Sequence, residues 1–313
     1  MNRFSICRSL SCRWQIAAAI LLSFVLCHAL SANGLADLSD GKTRICIMNA
    51  DGSNLQSLAR VEPYTRHEQP RFSPDGKQVV FGVSWKTDGT YDPRVFKVAT
   101  DGSEPIDMGP GKTPSWSPDG KQILFRIPPD AGLDMTDGVW VMNADGQGRQ
   151  HLILGFQPCF SPDGGRIVCT SSHEGQDNIY IYDVLEATSR KIDPLHPKIT
   201  GYPTWSPDGT KICFIGKKDS GEFDLVVADA SGSQPLKVRL TSADLSQSPS
   251  WGPDGKILIG MRVSDGLHRP FTLDPKTQDD PQVLEKLDDD QEFRDASWSA
   301  DGKKIVVVTG RER

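Results

Sequence analysis

With 313 residues, 37% hydrophobic and 24% charged, the chain has the composition of ordinary globular material and not of a disordered or fibrous protein. Its 41 acidic against 35 basic residues give a formal charge of −6, which argues against nucleic acid or an anionic lipid surface as the main partner.

Residues 1–32 are predicted to stand outside the fold. Arg3, Arg8 and Arg13 precede an uncharged, largely apolar run from Trp14 to Leu30 that ends in small residues, the layout of a secretory signal peptide. No twin-arginine pair is present, so general secretion is expected, with a cut after Ser31 or, alternatively, at Ala32 or Gly34. Two other readings are a lipoprotein at Cys27, which bulky Leu26 disfavours, and an uncleaved anchor. Loss of the three leader arginines leaves 32 basic and 41 acidic residues, or −9. The mature chain is expected in the periplasm or secreted, and meets a membrane only through an uncleaved leader. The remainder divides into a short segment at 33–43, a repeat region at 44–309 and a tail at 310–313.

The repeat region opens at Arg44 to Leu55, two predicted strands around an Asp51-Gly52 turn. A second signature, aromatic-Ser-Pro-Asp-Gly, then appears at Phe72 to Gly76. It returns so that Asp75-Gly76, Asp119-Gly120, Asp163-Gly164, Asp208-Gly209, Asp254-Gly255 and Asp301-Gly302 follow one another at intervals of 44, 44, 45, 46 and 47 residues. Two copies depart, with Gly252 for Ser and Ala300 for Pro. Six copies at a near-constant period mean a repeat architecture. Pro presets φ for the second position of a type I turn, Asp tolerates the third, and Gly takes the positive φ that closes a bulged hairpin. Behind each turn come consecutive apolar residues, such as Ile123-Leu124-Phe125 and Ile305 to Val308, which predict strands covered on both faces.

Between these hairpins the first strand pair also recurs, at Val95 to Met108, Val139 to Leu154, Ile179 to Ile192, Phe223 to Leu240 and Pro270 to Leu287. Each unit is therefore four strands, A to D, and a four-stranded unit of about 45 residues is a propeller blade. The chain starts with an orphan C-D pair and ends with an orphan A-B pair, which together complete a sixth blade and close the ring. The predicted fold is an all-β, six-bladed β-propeller of four-stranded antiparallel blades.

The pattern Pro-x-Trp/Phe-Ser-Pro-Asp-Gly-Lys-x-Ile-x-Phe, followed by Ile-x-Val-Met-Asn-Ala-Asp-Gly, resembles the WD40-like repeat of the TolB family, PD40, over about 44–309. The resemblance implies a periplasmic propeller. In the family's namesake, part of the Tol-Pal envelope system, the propeller binds the peptidoglycan-associated lipoprotein at the channel mouth. TolB carries an α/β domain before its propeller, whereas here about a dozen residues separate the leader from the first strand. Similar repeats occur in oligogalacturonate lyases and in the propellers of prolyl-oligopeptidase-type enzymes.

A propeller of this kind places its A-B and C-D turns on one rim and its D-A and B-C connections around the mouth, where function concentrates. Within those connections Tyr64, Arg66, His67, Trp85, Tyr91, His173, Tyr202 and His268 are the candidate partner-binding residues. Aromatic and Arg side chains there suit a protein or glycan contact. The six A-strand aromatics are assigned to the interblade core, and the turn aspartates to backbone hydrogen bonding, because no run has calcium-loop spacing. Asp288-Asp289-Asp290 with Glu292 is read as a solvated acidic loop.

Of the four cysteines beyond the leader, Cys46, Cys169 and Cys213 hold strand positions filled by apolar residues in sister repeats, so burial is expected. The other reading for Cys159 is a disulfide to Cys169 across one hairpin. Enzyme motifs fail singly. Gly111-Lys112-Thr113 lacks the first Gly of a phosphate loop, His67-Glu68 lacks a second His at Arg71, and no Gly-x-Ser-x-Gly occurs. The expectation is a monomeric, non-catalytic scaffold without cofactor or metal that grips a protein or envelope component. Its alternative is a metal-dependent carbohydrate- or peptide-acting enzyme with His67, His173 and His268 as ligands.

Overall fold

The computed structural model describes residues 42–131, 135–172, 174–192, 198–232, 237–242, 245, 248–277, 279–287 and 291–310. The leader, His173 and the acidic run at 288–290 lie outside the described residues.

In chain order, β1 (Arg44–Asn49) and β2 (Gln56–Ala59) come first. Blade one follows as β3 (His67–Phe72), β4 (Gln78–Trp85), β5 (Tyr91–Ala99) and β6 (Ile106–Pro110). Blade two is β7 (Lys112–Trp116), β8 (Gln122–Ile127), β9 (Gly138–Asn143) and β10 (Gln150–Ile153). Blade three is β11 (Phe156–Phe160), β12 (Arg166–Ser171), β13 (Asn178–Asp183) and β14 (Thr188–Ile192). Blade four is β15 (Lys198–Trp205), β16 (Lys211–Lys217), β17 (Phe223–Asp229) and β18 (Lys237–Ser242). Blade five, the thinnest, is β19 (Ser250–Trp251), β20 (Ile257–Arg262), β21 (His268–Leu273) and β22 (Gln282–Val283). The last strands, β23 (Phe293–Trp298) and β24 (Lys304–Thr309), pair with β1 and β2 in the order β2-β1-β24-β23.

Six four-stranded antiparallel sheets result. The closing blade is a six-pair register between β1 and β24, from Arg44 opposite Thr309 to Asn49 opposite Lys304. That ladder ties the two ends of the propeller together and leaves no open edge between them.

Consecutive apolar residues in the B strands behave as their pattern requires. In β24, Val306 and Val308 pack toward blade one, while Ile305 and Val307 pack with Leu258 and Leu284 of blade five; all four are buried. Successive strand residues point to opposite faces, so a run with both faces covered must be apolar throughout. Removing one such side chain to Ala costs about 2 kcal/mol or more. Among the inner-strand aromatics, Phe72, Trp116 and Trp205 are buried between blades, and Phe160, Trp251 and Trp298 are partly buried against the three remaining clusters.

The Ser-Pro-Asp-Gly turns are local hydrogen-bonded units. Ser117 Oγ donates to Asp119 Oδ1 at 2.6 Å, the Lys121 N–H donates to the same oxygen at 3.0 Å, and the Gln122 N–H donates to Ser117 Oγ at 2.9 Å. Gly120 takes φ 71°, a conformation only Gly adopts without strain. The C-D turns lie on the same rim, because Ala144 N bonds Lys121 O at 2.8 Å and Ala50 N bonds Lys303 O at 3.0 Å.

Cys159 and Cys169 are both free thiols. Cys159 pairs across the hairpin with Val168, one residue short of Cys169, so the two side chains leave opposite faces of the sheet. Cys169 packs toward blade two and Cys159 toward blade four. The disulfide reading is corrected accordingly.

Candidate functional site

The inner wall is built by β3, β7, β11, β15, β19 and β23, each packed against its neighbours around the ring. Each of these strands carries Pro or, once, Ala at the same place, or in β19 just before its first residue: Pro70, Pro114, Pro158, Pro203, Pro249 and Ala296. Pro has no N–H for the ladder, and the A-B register slips there, as between Glu68 and Arg71 or Phe156 and Cys159. The preceding residue takes the left-handed conformation in five blades: Gln69 (φ 49°), Thr113 (52°), Gln157 (55°), Tyr202 (58°) and Asp295 (48°). Ser248 holds the matching position in blade five. A non-glycine residue in this region carries about 1–2 kcal/mol of strain, and such strain clusters at sites of function.

Long-range bonds hold this ring. The Tyr202 N–H donates to Gln157 Oε1 at 2.8 Å, and Thr170 Oγ1 donates to the same oxygen at 3.3 Å. Gln157 fits because Gly201 leaves the space that a Cβ would fill. The Gln69 N–H donates to Asp295 Oδ2 at 3.3 Å, joining blade one to the closing blade.

Two residues beyond the strained position, five blades carry small side chains: Ser115, Cys159, Thr204, Ser250 and Ser297. Blade one carries Arg71 instead. Its guanidinium donates to Pro70 O at 3.0 Å and to Ser248 Oγ at 3.2 Å, and Ser248 Oγ lies 3.4 Å from Asp295 Oδ1. Burial lowers the Arg71 pKa against the pull of Asp295, and burial raises that of Asp295 against the pull of Arg71. Arg71 and Asp295 are thus opposite charges joined through Ser248 Oγ in the channel.

Above them a cleft of about 480 Å³ opens at the mouth, lined by Glu68, Tyr91, Lys112, Arg126, Phe156 and Tyr202 among others. Lys112 Nζ lies 5.6 Å from the Tyr91 ring centroid and 3.5 Å from Glu68 Oε1, and the Arg126 guanidinium lies 5.0 Å over Phe156. Ser84 Oγ donates to Glu68 Oε1 at 2.6 Å, and Arg66 Nε stands 3.7 Å from the same oxygen. Trp85, 43% exposed, packs against Tyr91 with ring centroids 5.0 Å apart and planes tilted by 50°, and extends the aromatic surface outward. Burial, followed by the field of Asp295 and Glu68, pushes the Tyr202 hydroxyl up to about 12, so it stays a neutral donor.

The predicted candidates therefore separate. Trp85, Tyr91 and Tyr202 come together at this cleft, with Arg66 joined through Glu68. Tyr64 and His67 are corrections: both are buried, not surface groups. Tyr64 donates its hydroxyl to Asp92 Oδ2 at 2.6 Å and packs edge-on against Phe96, and burial with that carboxylate beside it raises its pKa. His67 begins a strand and stacks on Phe81. Its Nε2 accepts the Val61 N–H at 2.9 Å, which leaves the ring proton on Nδ1, 3.3 Å from Thr43 Oγ1. Burial, helped by Arg60 and Arg44, pushes its pKa down to about 3. His268, in blade five, holds Glu292 Oε1 at 3.1 Å beside Arg294, and these two bonds outweigh burial to hold that carboxyl at about 2.

Gln69, Arg71, Lys112, Arg126, Gln157 and Asp295 are absent from the sequence-based list. The strained positions had a visible signal, since each precedes the recurring inner-strand Pro. Lys112 and Arg126 had none, because only the ring brings them beside Tyr91 and Phe156.

The TolB β-propeller domain model, PD40, matches residues 151–313, just over half of the chain. The Tol-Pal system protein TolB of Alcanivorax borkumensis is 34% identical over 64 residues, 20% of this chain and 14% of that protein. The uncharacterized peptidase YuxL of Bacillus subtilis is 27% identical over 131 residues, 41% of this chain and 18% of that protein. The chain thus matches under a fifth of the length of these curated relatives. Among solved structures, the putative TolB of Agrobacterium tumefaciens superposes with a TM-score of 0.66 at 19% identity, covering 85% of this chain and 97% of that one. TolB from Acinetobacter baumannii gives 0.61 at 18% identity, over 94% and 69% of the two chains. A manganese-bound oligogalacturonate lyase gives 0.53 at 16% identity over 74% and 71%, a likeness of fold. With its six closed blades, registered turns and matched second half, the chain belongs to the PD40 family, the TolB β-propeller domain.

Proposed function

We propose that this protein is an exported, periplasmic, non-catalytic TolB-like scaffold that grips a protein of the cell envelope at its mouth. The carrying observation is the cleft of about 480 Å³ in which Tyr91, Phe156 and Tyr202 stand beside Lys112 and Arg126. Aromatic and Arg side chains in a partly desolvated pocket dominate the energy of protein interfaces. Here the pocket is held by strained backbone and bonds between blades, so it is organised before a partner arrives. The likeness to TolB supports a peptidoglycan-associated lipoprotein as the partner to test first.

The experiment is a calorimetric titration of purified peptidoglycan-associated lipoprotein into the mature chain and its Arg126→Ala and Tyr91→Ala variants. Binding by wild type that weakens at least tenfold in each variant supports the reading. No binding, or binding indifferent to both substitutions, contradicts it. Export is tested separately by fractionation, where retention of the full-length chain in the cytoplasm would contradict the periplasmic assignment.

The metal-enzyme reading has lost its first ligand, because the nitrogens of His67 are committed to Val61 and Thr43 in the core. His268 is likewise bonded to Glu292.

A further inference from the structure

Where the mouth cleft narrows into the channel, Gln69 lines both spaces. Its backbone N–H is committed to Asp295, but its side-chain amide has no hydrogen-bond partner among the described residues, and the residue is only 6% exposed. Ser115 Oγ, on β7 in a residue 9% exposed, likewise has none, nor has the Nε–H of Arg71, whose bonds to Pro70 and Ser248 use its Nη atoms. All three residues line one small space in the channel. A buried polar group left unsatisfied costs about 1–3 kcal/mol, so three of them together mark a place for a hydrogen-bonding guest.

The charges around that place decide what kind of guest. Arg71 is offset by Asp295 through Ser248 Oγ, Lys112 stands 3.5 Å from Glu68, which Arg66 also approaches at 3.7 Å, and Arg126 stands 3.3 Å from Asp137. The exposed Asp130 carboxylate on the cleft wall completes four cations against four carboxylates among the described residues. Neither sign of charge is favoured, so the complementary guest is uncharged.

Shape narrows the choice further. The channel space is about 30 Å³, room for about two water-sized groups, and the cleft above it, about 480 Å³, carries the rings of Tyr91, Phe156 and Tyr202. A pyranose matches both. Its hydroxyls donate and accept at once, as an amide, a serine and a guanidinium edge require. Its hydroxymethyl arm has the size of the narrow space, and its C–H face packs on an aromatic ring.

We propose that the channel entrance is a binding site for an uncharged saccharide, with Gln69, Ser115 and Arg71 holding its hydroxyls and the cleft aromatics carrying its ring. The site goes beyond the envelope-protein reading and fails separately from it, because that reading turns on Tyr91 and Arg126 and this one on Gln69 and Ser115 beneath them.

The test is an NMR titration of the isotopically labelled chain with cellobiose, maltose and diacetylchitobiose, uncharged disaccharides that differ in linkage and substituent, and with digalacturonate as the charged control. Saturable shifts are expected with at least one uncharged sugar, at the Gln69 side-chain amide and the backbone amides of Gln69, Ser115 and Tyr202, and digalacturonate should bind more weakly. Gln69→Met keeps the side chain's length and the backbone bond to Asp295, and should weaken sugar binding about tenfold. Ser115→Ala should weaken it less, and with the wild-type shift map it carries the test if Gln69→Met fails to fold. Absent shifts with all three sugars, which leave the space to water, would overturn the proposal, as would equal or tighter binding of digalacturonate, or sugar binding indifferent to both substitutions. A capped Ala-Ser-Asn-Ala peptide that shifts Gln69 and Ser115 as strongly as the sugar would assign the site to a protein segment and overturn it too.

Discussion

The two rims of this propeller are stabilised in opposite ways. On the turn rim, each Ser-Pro-Asp-Gly unit satisfies itself with bonds spanning two to five residues, as Ser206 and Asp208 do at 2.6 Å. At the mouth, the deciding bonds join residues far apart in sequence: Gln157 to Tyr202, Gln69 to Asp295, Arg71 to Ser248. Self-contained turns repeat because each works wherever it is placed. A surface that depends on neighbours can differ in every blade, which a selective binding face needs.

Several substitutions can break or sharpen that contrast. The largest effect is expected for Arg71→Ala, which removes the bond to Ser248 and the charge that offsets the half-buried Asp295 carboxylate and should cost about 3 kcal/mol in chemical denaturation. Asp295→Asn in the same background should recover part of it. Gln157→Ala strips the acceptor from the Tyr202 N–H and should cost about 1–3 kcal/mol. It should also loosen exchange protection at Tyr202 without touching the turn rim. Ser117→Ala removes two local bonds and should cost about 1 kcal/mol, and Ser117→Ala with Ser206→Ala should add because the turns share no partner. A cost at Ser117 larger than at Arg71 would invert the comparison.

The rims also respond to pH with opposite signs. Serine hydroxyls hold Asp75, Asp119, Asp163 and Asp301 below the ordinary carboxylate range and Asp208 at about 2. Their stabilisation is present above about pH 4 and is lost as pH falls through the folded values. Burial raises Asp295, so its contribution is present at low pH and lost as pH rises through its folded value. Thermal melts from pH 2 to 7 should therefore show the gap between wild type and Asp295→Asn narrowing as pH rises. They should also show Ser117→Ala losing part of the acid-side slope. A gap that widens with pH would contradict the assignment of Asp295. The smallest effect is expected for Ala300→Pro, a gain of about 0.4–1 kcal/mol from a stiffer unfolded chain.

What was legible in the sequence follows the same division. The turn period, the six blades and the shared closing blade were readable, because Asp119-Gly120 and its copies are decided by neighbouring residues. His67 and Tyr64 were misread as surface groups, since polar residues at a strand start look like loop until the Val61 and Asp92 partners appear. Arg71 was invisible as a channel group, because its partner Ser248 lies 177 residues away. The strained ring was readable in retrospect, as the residue before each inner-strand Pro, but its geometry needs the assembled A-B ladders.

The most direct test of the division is hydrogen exchange of the chain, free and bound to purified peptidoglycan-associated lipoprotein. Added protection at Tyr91, Lys112, Phe156 and Tyr202, with Gly120, Gly164 and Gly209 unchanged, is the predicted result. Protection that appears on the turn glycines while the mouth stays as it was would contradict the account.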